Sequence, residues 1–304
     1  MTEFMPEGHR IITEENRTAT ESLEGLEKAM EEGTLLEARA TLCDCGDHLR
    51  FPLGETVGIM PRKEVAVTEA GEEIRDIAVI TRVGKPSVFT VERIEYGAEP
   101  KAYLSRKKAQ EKCLREYLDR LEDGDVIPAR VTHFEPFGAF CDIGCGIPSL
   151  LSIDCISISR ISHPSDRFHL GENILAAVKC RDERRLGARG RIALTHKELL
   201  GTWQENAERF QIGQTVIGVV RSIESYGIFV ELAPNLAGLA EWRDGVRVGD
   251  GCAVYIKNII PHKMKVKLVL IDSFRLSAEE RKTEYFIKEG NIRSFRYAPC
   301  DSEK

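Results

Sequence analysis

A spacing of about 90 residues recurs along this chain and limits what it can fold into. Three times, a helix-like stretch, a glycine and an extended run follow one another, with the glycines at Gly33, Gly124 and Gly213. The first helical stretch opens at Thr18-Ala-Thr-Glu21, which has capping-box spacing, and continues through Leu23, Leu26 and Met30. The second is expected from about Arg106 to Leu121 and the third from about Lys197 to Phe210. A second landmark has the same period: Tyr103-Leu104-Ser105-Arg106 and Ala193-Leu194-Thr195-His196 each close a strand-like run, with Leu104 and Leu194 90 residues apart. The period is too long for a solenoid and suits a small domain of about 70 residues plus a linker helix. A length of 304 residues alone would suggest about two domains, whereas the repeat predicts three.

Within each unit the pattern is short strands broken by turns. In the second, Val126 to Thr132, Gly138 to Ile143, Ile147 to Leu151, Ile174 to Cys180 and Arg191 to Leu194 read as strands. In the third, Thr215 to Ile223, Gly227 to Leu232, Ala237 to Trp242, Ala253 to Ile260 and Lys265 to Leu270 do the same. Five short antiparallel strands are too few for an immunoglobulin-like sandwich and match a closed OB-type barrel. The expected class is mostly β with linker helices: three tandem five-stranded OB-fold barrels joined by α-helices. The expected divisions are a helical lead (1–32), a degenerate first repeat (33–105), a linker helix (106–123), a second repeat (124–196), a second linker helix (197–212), a third repeat (213–275) and a C-terminal extension (276–304).

Two units share a motif. The second has Phe137-Gly138-Ala139-Phe140 and the third Tyr226-Gly227-Ile228-Phe229. Rings three residues apart need not share a face of an ideal strand. A bend at the glycine lets both emerge on one surface, where they form a stacking platform for unpaired bases. Phosphate requires cations beside the rings. Arg181, Arg184, Arg185, Arg189 and Arg191 stand near the last strands of unit two, and Lys257, Lys263, Lys265 and Lys267 near those of unit three. An aromatic pair alone is more often barrel core with a solvated charged rim. Its recurrence at one place in two repeats, each with a cationic last hairpin, favours binding. His133 borders the same surface.

Net charge, −6 over the whole chain, argues against a nucleic-acid partner only until it is divided. Residues 1–123 carry −8, residues 124–196 carry +1 and residues 213–275 carry +2. The acid lies ahead of the two units with the motif.

At these residues the chain resembles the bacterial family built from tandem S-one RNA-binding domains, as in the small-subunit ribosomal protein S-one. The resemblance covers most of residues 33–275 and is strongest from Leu104-Ser-Arg-Lys-Lys-Ala through Gly124-Asp-Val to Phe137-Gly-Ala-Phe140-Cys-Asp-Ile-Gly. It implies an OB barrel whose RNA face uses the two aromatics, a His in a Gly-Leu-Val-His-Ile-Ser segment, and an Asp and an Arg near the last strand. Carried over, these are Phe137, Phe140, Asp182 and Arg191 in unit two, with Ser152 at the His position. In unit three they are Tyr226 and Phe229, with Lys265 for the Arg and Glu241 at the His position, where a carboxylate would repel phosphate. Unit one keeps a Gly58-Ile-Met-Pro61 segment, but Asp44-Cys-Gly-Asp-His-Leu-Arg-Phe51 has no aromatic pair. It resembles the leading repeats of the ribosomal protein, which serve attachment to the ribosome.

The implied partner is single-stranded RNA, mRNA above all, with the ribosomal small subunit as a further partner and no membrane. The expected role is in mRNA binding, translation or RNA metabolism in a bacterial cytoplasm. The alternative is a scaffold of drifted barrels docking on the ribosome or an RNA-processing complex. No enzyme activity, cofactor or metal is expected. The Walker loop, Gly-x-Ser-x-Gly and HExxH patterns are missing, and Cys43-x-Cys45 with His48 is short of a zinc ligand set. The cysteines read as small apolar strand residues in a reducing cytosol. No apolar run approaches 18 residues, and Met1 to Asn16 lacks the pattern of a secretory signal. In the tail, Ser277-Ala-Glu-Glu280 reads as a helix cap and Tyr285 to Tyr297 as an alternative hairpin, with Arg293, Phe295, Arg296 and Tyr297 as secondary RNA candidates.

Overall fold

The structure, a computed structural model, describes residues 3–44, 48–68, 73–182, 191–275 and 283–298, without the side chains of Asp182 and Arg191. The strands of unit one are β1 (Leu36–Arg39), β2 (Leu42–Cys43), β3 (Leu49–Leu53), β4 (Thr56–Met60), β5 (Pro86–Glu95) and β6 (Lys101–Ser105). Unit two has β7 (Val126–Glu135), β8 (Gly138–Asp142), β9 (Pro148–Ser152), β10 (Asn173–Asp182) and β11 (Arg191–Thr195). Unit three has β12 (Thr215–Glu224), β13 (Gly227–Ala233), β14 (Leu236–Ala240), β15 (Gly251–Ile260) and β16 (Lys265–Phe274).

Units two and three close into five-stranded barrels, in the orders β10-β11-β9-β8-β7 and β12-β13-β14-β16-β15. Alternation builds them: along Lys265–Phe274 the side chains are in turn exposed and buried, so one face of the strand fills the barrel. Unit one keeps the same connectivity but differs from the expected five strands. Its sheet has six, in the order β1-β5-β6-β4-β3-β2, and is open. The first barrel strand is divided: Leu36–Arg39 pairs with β5, and Leu42–Cys43 turns to pair with β3. The break at Ala40 and Thr41 separates two pairings that one ten-residue strand, β7, performs in unit two.

The helices are shorter than the periodicity predicts. The lead contains α1 (Glu14–Glu21) and α2 (Leu23–Glu32). Thr13 and Ser22 are the N-caps, accepting from Asn16 N and Gly25 N, and Thr18 instead bonds back to the Glu14 carbonyl. Gly33, at φ 65°, ends α2 in the left-handed conformation. A short α3 (Asp76–Ile80) lies between β4 and β5. The first linker is α4 (Arg106–Glu116), capped by Ser105 and followed by a 3-10 turn, Leu118–Arg120. The second linker is not continuous. A 3-10 turn, Lys197–Leu200, stops at Gly201 (φ 82°), and Thr202 opens α5 (Trp203–Ala207) with a capping box to Glu205. Among the described residues no helix is long and apolar enough to cross a membrane.

The C-terminal segment forms no hairpin. Residues 283–298 run as an extended strap with one bridge, Asp125 to Asn291, and pack Tyr285, Ile287, Ile292 and Phe295 against Val126, Leu175, Ala177 and Leu199. Buried apolar surface on unit two outcompetes local turn formation here. Ser277 to Glu280 lies outside the described residues, as does Cys45.

Candidate nucleic-acid interface

Each barrel wall carries a cross-strand row of outward side chains. In unit two His133 pairs with Phe140, Phe140 with Leu150, Leu150 with Ala193 and Ala193 with Cys180. In unit three the row is Ser222, Phe229, Leu239, Lys267 and Asn258. The first and last strands have their bulges at matching places, Val131/His133 and Val220/Ser222, then Val178/Cys180 and Ile256/Asn258. Those bulges put the rows in one register.

The first ring of each pair is set by a turn. Phe137 and Tyr226 immediately precede Gly138 and Gly227, whose strands begin at the glycine. A Cβ on Gly138 would lie 2.4 Å from the Leu151 carbonyl oxygen, and one on Gly227 2.5 Å from that of Ala240. Only glycine admits the neighbouring strand so closely. Phe137 is 53% exposed and Tyr226 67%, while Phe140 and Phe229 are half-buried. The rings are therefore outside the barrel cores. Within each pair they meet edge to face, Phe137 with Phe140 at 6.3 Å and 86°, Tyr226 with Phe229 at 6.1 Å and 90°. His133 lies along Phe140 at 6.4 Å and 26°, its Nε2 2.9 Å from Glu135 Oε1.

The remaining predicted residues separate. Lys267 sits in the row of unit three, one strand beyond Leu239, and is exposed; Lys265, two residues earlier, is exposed too. Arg191 begins β11 as Lys265 begins β16, and its backbone pairs with Asp182. Lys257 and Lys263 are exposed. Arg181 is occupied: its guanidinium pairs with Asp119 at 3.2 Å and bonds the Leu118 carbonyl at the linker. Arg184, Arg185 and Arg189 lie outside the described residues. At the two His positions, Ser152 faces Gly138 and bonds the Asp154 carboxylate, and Glu241 is exposed just after β14.

Unit one has a different row: Leu42, Arg50, Ile59, Tyr103 and Arg93. Arg50 stands where the other units have Phe140 and Phe229, and the ring has moved to Tyr103. The Arg93 guanidinium lies 4.2 Å from the centre of that ring. Sequence reasoning missed Tyr103 and Arg93, because only the strand register reveals their place in the row.

The units are locked together next to these rows. At the first junction Glu7 is buried against Arg106 (Nε 2.6 Å) and Arg82 (Nη2 2.7 Å), and its amide donates to Asp142 at 2.7 Å. Burial raises the Glu7 carboxyl, but the two arginines outweigh it and hold it below the usual range. Burial and then the Glu7 charge push Asp142 up to about 7. At the second junction Glu231 takes both Arg167 Nη atoms at 2.9 Å and Arg221 Nε at 2.8 Å. Burial would raise Glu231, yet Arg167 and Arg221 lower it to about 2. Asn235 adds a hub, accepting from Ile158 N and donating to the Lys197 and Gly201 carbonyls.

Barrels of this topology, with paired surface rings in matching rows, define a tandem OB-fold protein. The family described as "S1 RNA binding domain" matches residues 120–197, which contain unit two, and the chain resembles small ribosomal subunit protein bS1. It is 26% identical to "Small ribosomal subunit protein bS1" of Rhizobium meliloti over 239 residues, 76% of this chain and 39% of that one. It is 34% identical to "Small ribosomal subunit protein bS1 homolog" of Bacillus subtilis over 140 residues, 46% of this chain and 35% of the relative. It is also 28% identical to "4-hydroxy-3-methylbut-2-enyl diphosphate reductase" of Clostridium acetobutylicum over 201 residues, 59% of this chain but 30% of the enzyme. The chain spans well under half the length of these relatives.

Proposed function

We propose that the chain binds single-stranded RNA through the rows of units two and three, and acts on mRNA in translation or RNA metabolism alongside the small ribosomal subunit. The observation that carries this is the exposed edge-to-face ring pair repeated in two barrels, Phe137 with Phe140 and Tyr226 with Phe229. Exposing such rings to water is unfavourable unless a partner covers them. Unpaired bases stack on them at about 1–3 kcal/mol each, whatever their sequence. In this reading His133 contributes in unit two, Asp182 and Arg191 are assigned to RNA contact by the resemblance alone, and Lys265 and Lys267 contribute in unit three. No catalytic step is part of this reading.

Fluorescence anisotropy with a labelled single-stranded RNA tests it, comparing the wild-type chain with Phe137→Ala/Phe140→Ala. Affinity is expected to fall at least tenfold. An unchanged affinity would remove stacking as the basis of binding.

Unit one supports a second role. Its row carries Arg50 and the Arg93–Tyr103 stack in place of an aromatic pair. We assign it to protein docking on the ribosome. Co-sedimentation with ribosomal particles that survives nuclease and maps to residues 33–105 is the expected result.

A further inference from the structure

The C-terminal strap contains two kinds of residue. Some are anchors. Tyr285 Oη accepts from Leu175 N at 3.1 Å and meets His196 Nε2 at 3.2 Å. Ile292 is buried, its amide on the Gly124 carbonyl at 2.8 Å. Tyr297 Oη donates to the Asn235 carbonyl at 2.6 Å, tying the strap to unit three. Between Ile292 and Tyr297 the chain turns, with Phe295 N on the Ile292 carbonyl at 2.9 Å, and presents Arg293, Phe295 and Arg296.

These three residues wall a cavity of about 370 Å³ whose far side includes Lys197 and Ile158. Its volume lies in the range of about 300–1,000 Å³ typical of small-ligand sites. Among the described residues the exposed Arg296 bonds only carbonyls of its own turn, Phe295 at 2.8 Å and Arg293 at 3.3 Å. Lys197 Nζ bonds the Asp154 carbonyl at 3.2 Å. Among the described residues neither cation has a carboxylate partner, whereas Arg293 is paired with Glu122 at 3.0 Å. Two carboxylates also line the space, Asp123 and Glu198, and Glu198 accepts the Thr195 hydroxyl. With Arg293 held by Glu122, Lys197 and Arg296 are the cations left to face the space, and with the half-buried Phe295 ring they suit one phosphate and one base.

Two hydrogen bonds through adjacent residues connect the cavity wall to the start of the ring platform of unit two. The Phe137 carbonyl accepts from Ile153 N at 2.9 Å, and the next residue, Asp154, holds Lys197. We propose that this cavity is a nucleotide subsite, in which Lys197 and Arg296 take a phosphate of the RNA strand on unit two and Phe295 stacks on its base. The proposal rests on the reading of unit two as an RNA binder.

The test is anisotropy of the full chain with single-stranded RNA over a series of salt concentrations. Lys197→Ala/Arg296→Gln is expected to weaken binding about tenfold and to flatten the slope of log affinity against log salt by about 0.7, the contribution of one phosphate on a single strand. Phe295→Leu keeps the apolar packing and is expected to weaken binding about fivefold. Thermal unfolding is followed in parallel. A variant that lowers Tm but leaves slope and affinity unchanged would show the strap to be structural and overturn the subsite. Phe137→Ala/Phe140→Ala separates the two claims. If it binds as tightly as wild type, the underlying reading fails. If it loses binding while the Lys197/Arg296 variant matches wild type, the subsite alone fails.

Discussion

Asp142 and Glu231 occupy the same register position in successive barrels. Each lies two residues beyond the second ring of its pair, opposite Arg130 and Val219 respectively, and each is buried where its barrel meets the unit ahead of it. The strand that presents the ring at Phe140 or Phe229 thus also carries the bond to the preceding unit. In unit one the corresponding position is Pro52, two residues beyond Arg50, and it is exposed. Ring platform and inter-unit lock therefore share one strand.

Removing the second lock should destabilise the chain. Glu231→Gln leaves Arg167 buried without a counter-charge and Arg221 with only Asp166, 3.9 Å away, at a cost of about 3 kcal/mol. Denaturant unfolding is expected to show a lowered midpoint, with the RNA affinity of unit two retained. Replacing Glu231 and Arg167 together by methionine should recover part of the loss, because no unpaired charge then remains between those two positions.

The packing of the strap should make stability fall with acid. His196 is fully buried, its Nδ1 2.8 Å from the Ile156 carbonyl and its Nε2 beside Tyr285, and burial lowers its pKa from 6.5 to about 4. Above pH 6.5 the ring is neutral in both folded and unfolded chains, and its full contribution is present. As pH falls from 6.5 towards 4 the unfolded chain takes up a proton that the folded chain refuses. Stability then declines by about 3 kcal/mol and levels off below pH 4. Unfolding measured across this window should decline less steeply in His196→Gln.

Gly138→Ala should damage the platform without touching a ring. Its Cβ would meet the Leu151 carbonyl oxygen at 2.4 Å and force β8 away from β9. A loss of about 2 kcal/mol in stability is expected, together with weaker RNA binding, because Phe137 and Phe140 flank the displaced residue. Near-ultraviolet circular dichroism and anisotropy report the two effects.

Tyr285→Phe should loosen the strap alone. The hydroxyl bonds both Leu175 N and His196. Its loss leaves a half-buried amide unsatisfied and should cost about 1 kcal/mol. Limited proteolysis should cut the variant earlier than wild type between residues 283 and 298.

Much of the fold was legible from local pattern. The strands of units two and three lie within a few residues of their predicted bounds, because alternation and turn residues are local signals. The aromatic pairs were legible for the same reason, as a motif within one hairpin. The helices were over-extended, since helical periodicity does not register Ser22 or Gly201, where caps and a positive φ end the helix.

By itself, then, the sequence determined the repeat, the approximate bounds of the strands in the two closed barrels and the ring motif, all written in patterns among near neighbours. Tertiary structure alone decided the divided first strand, the row through Tyr103 and Arg93, the locks and the course of the strap. Glu7 reaches Asp142 across 135 residues, Arg167 reaches Glu231 across 64, and Asn291 reaches Asp125 across 166. A carboxylate that will be buried against a distant arginine has the same sequence signature as one in water. Only the packing that removes the water distinguishes them.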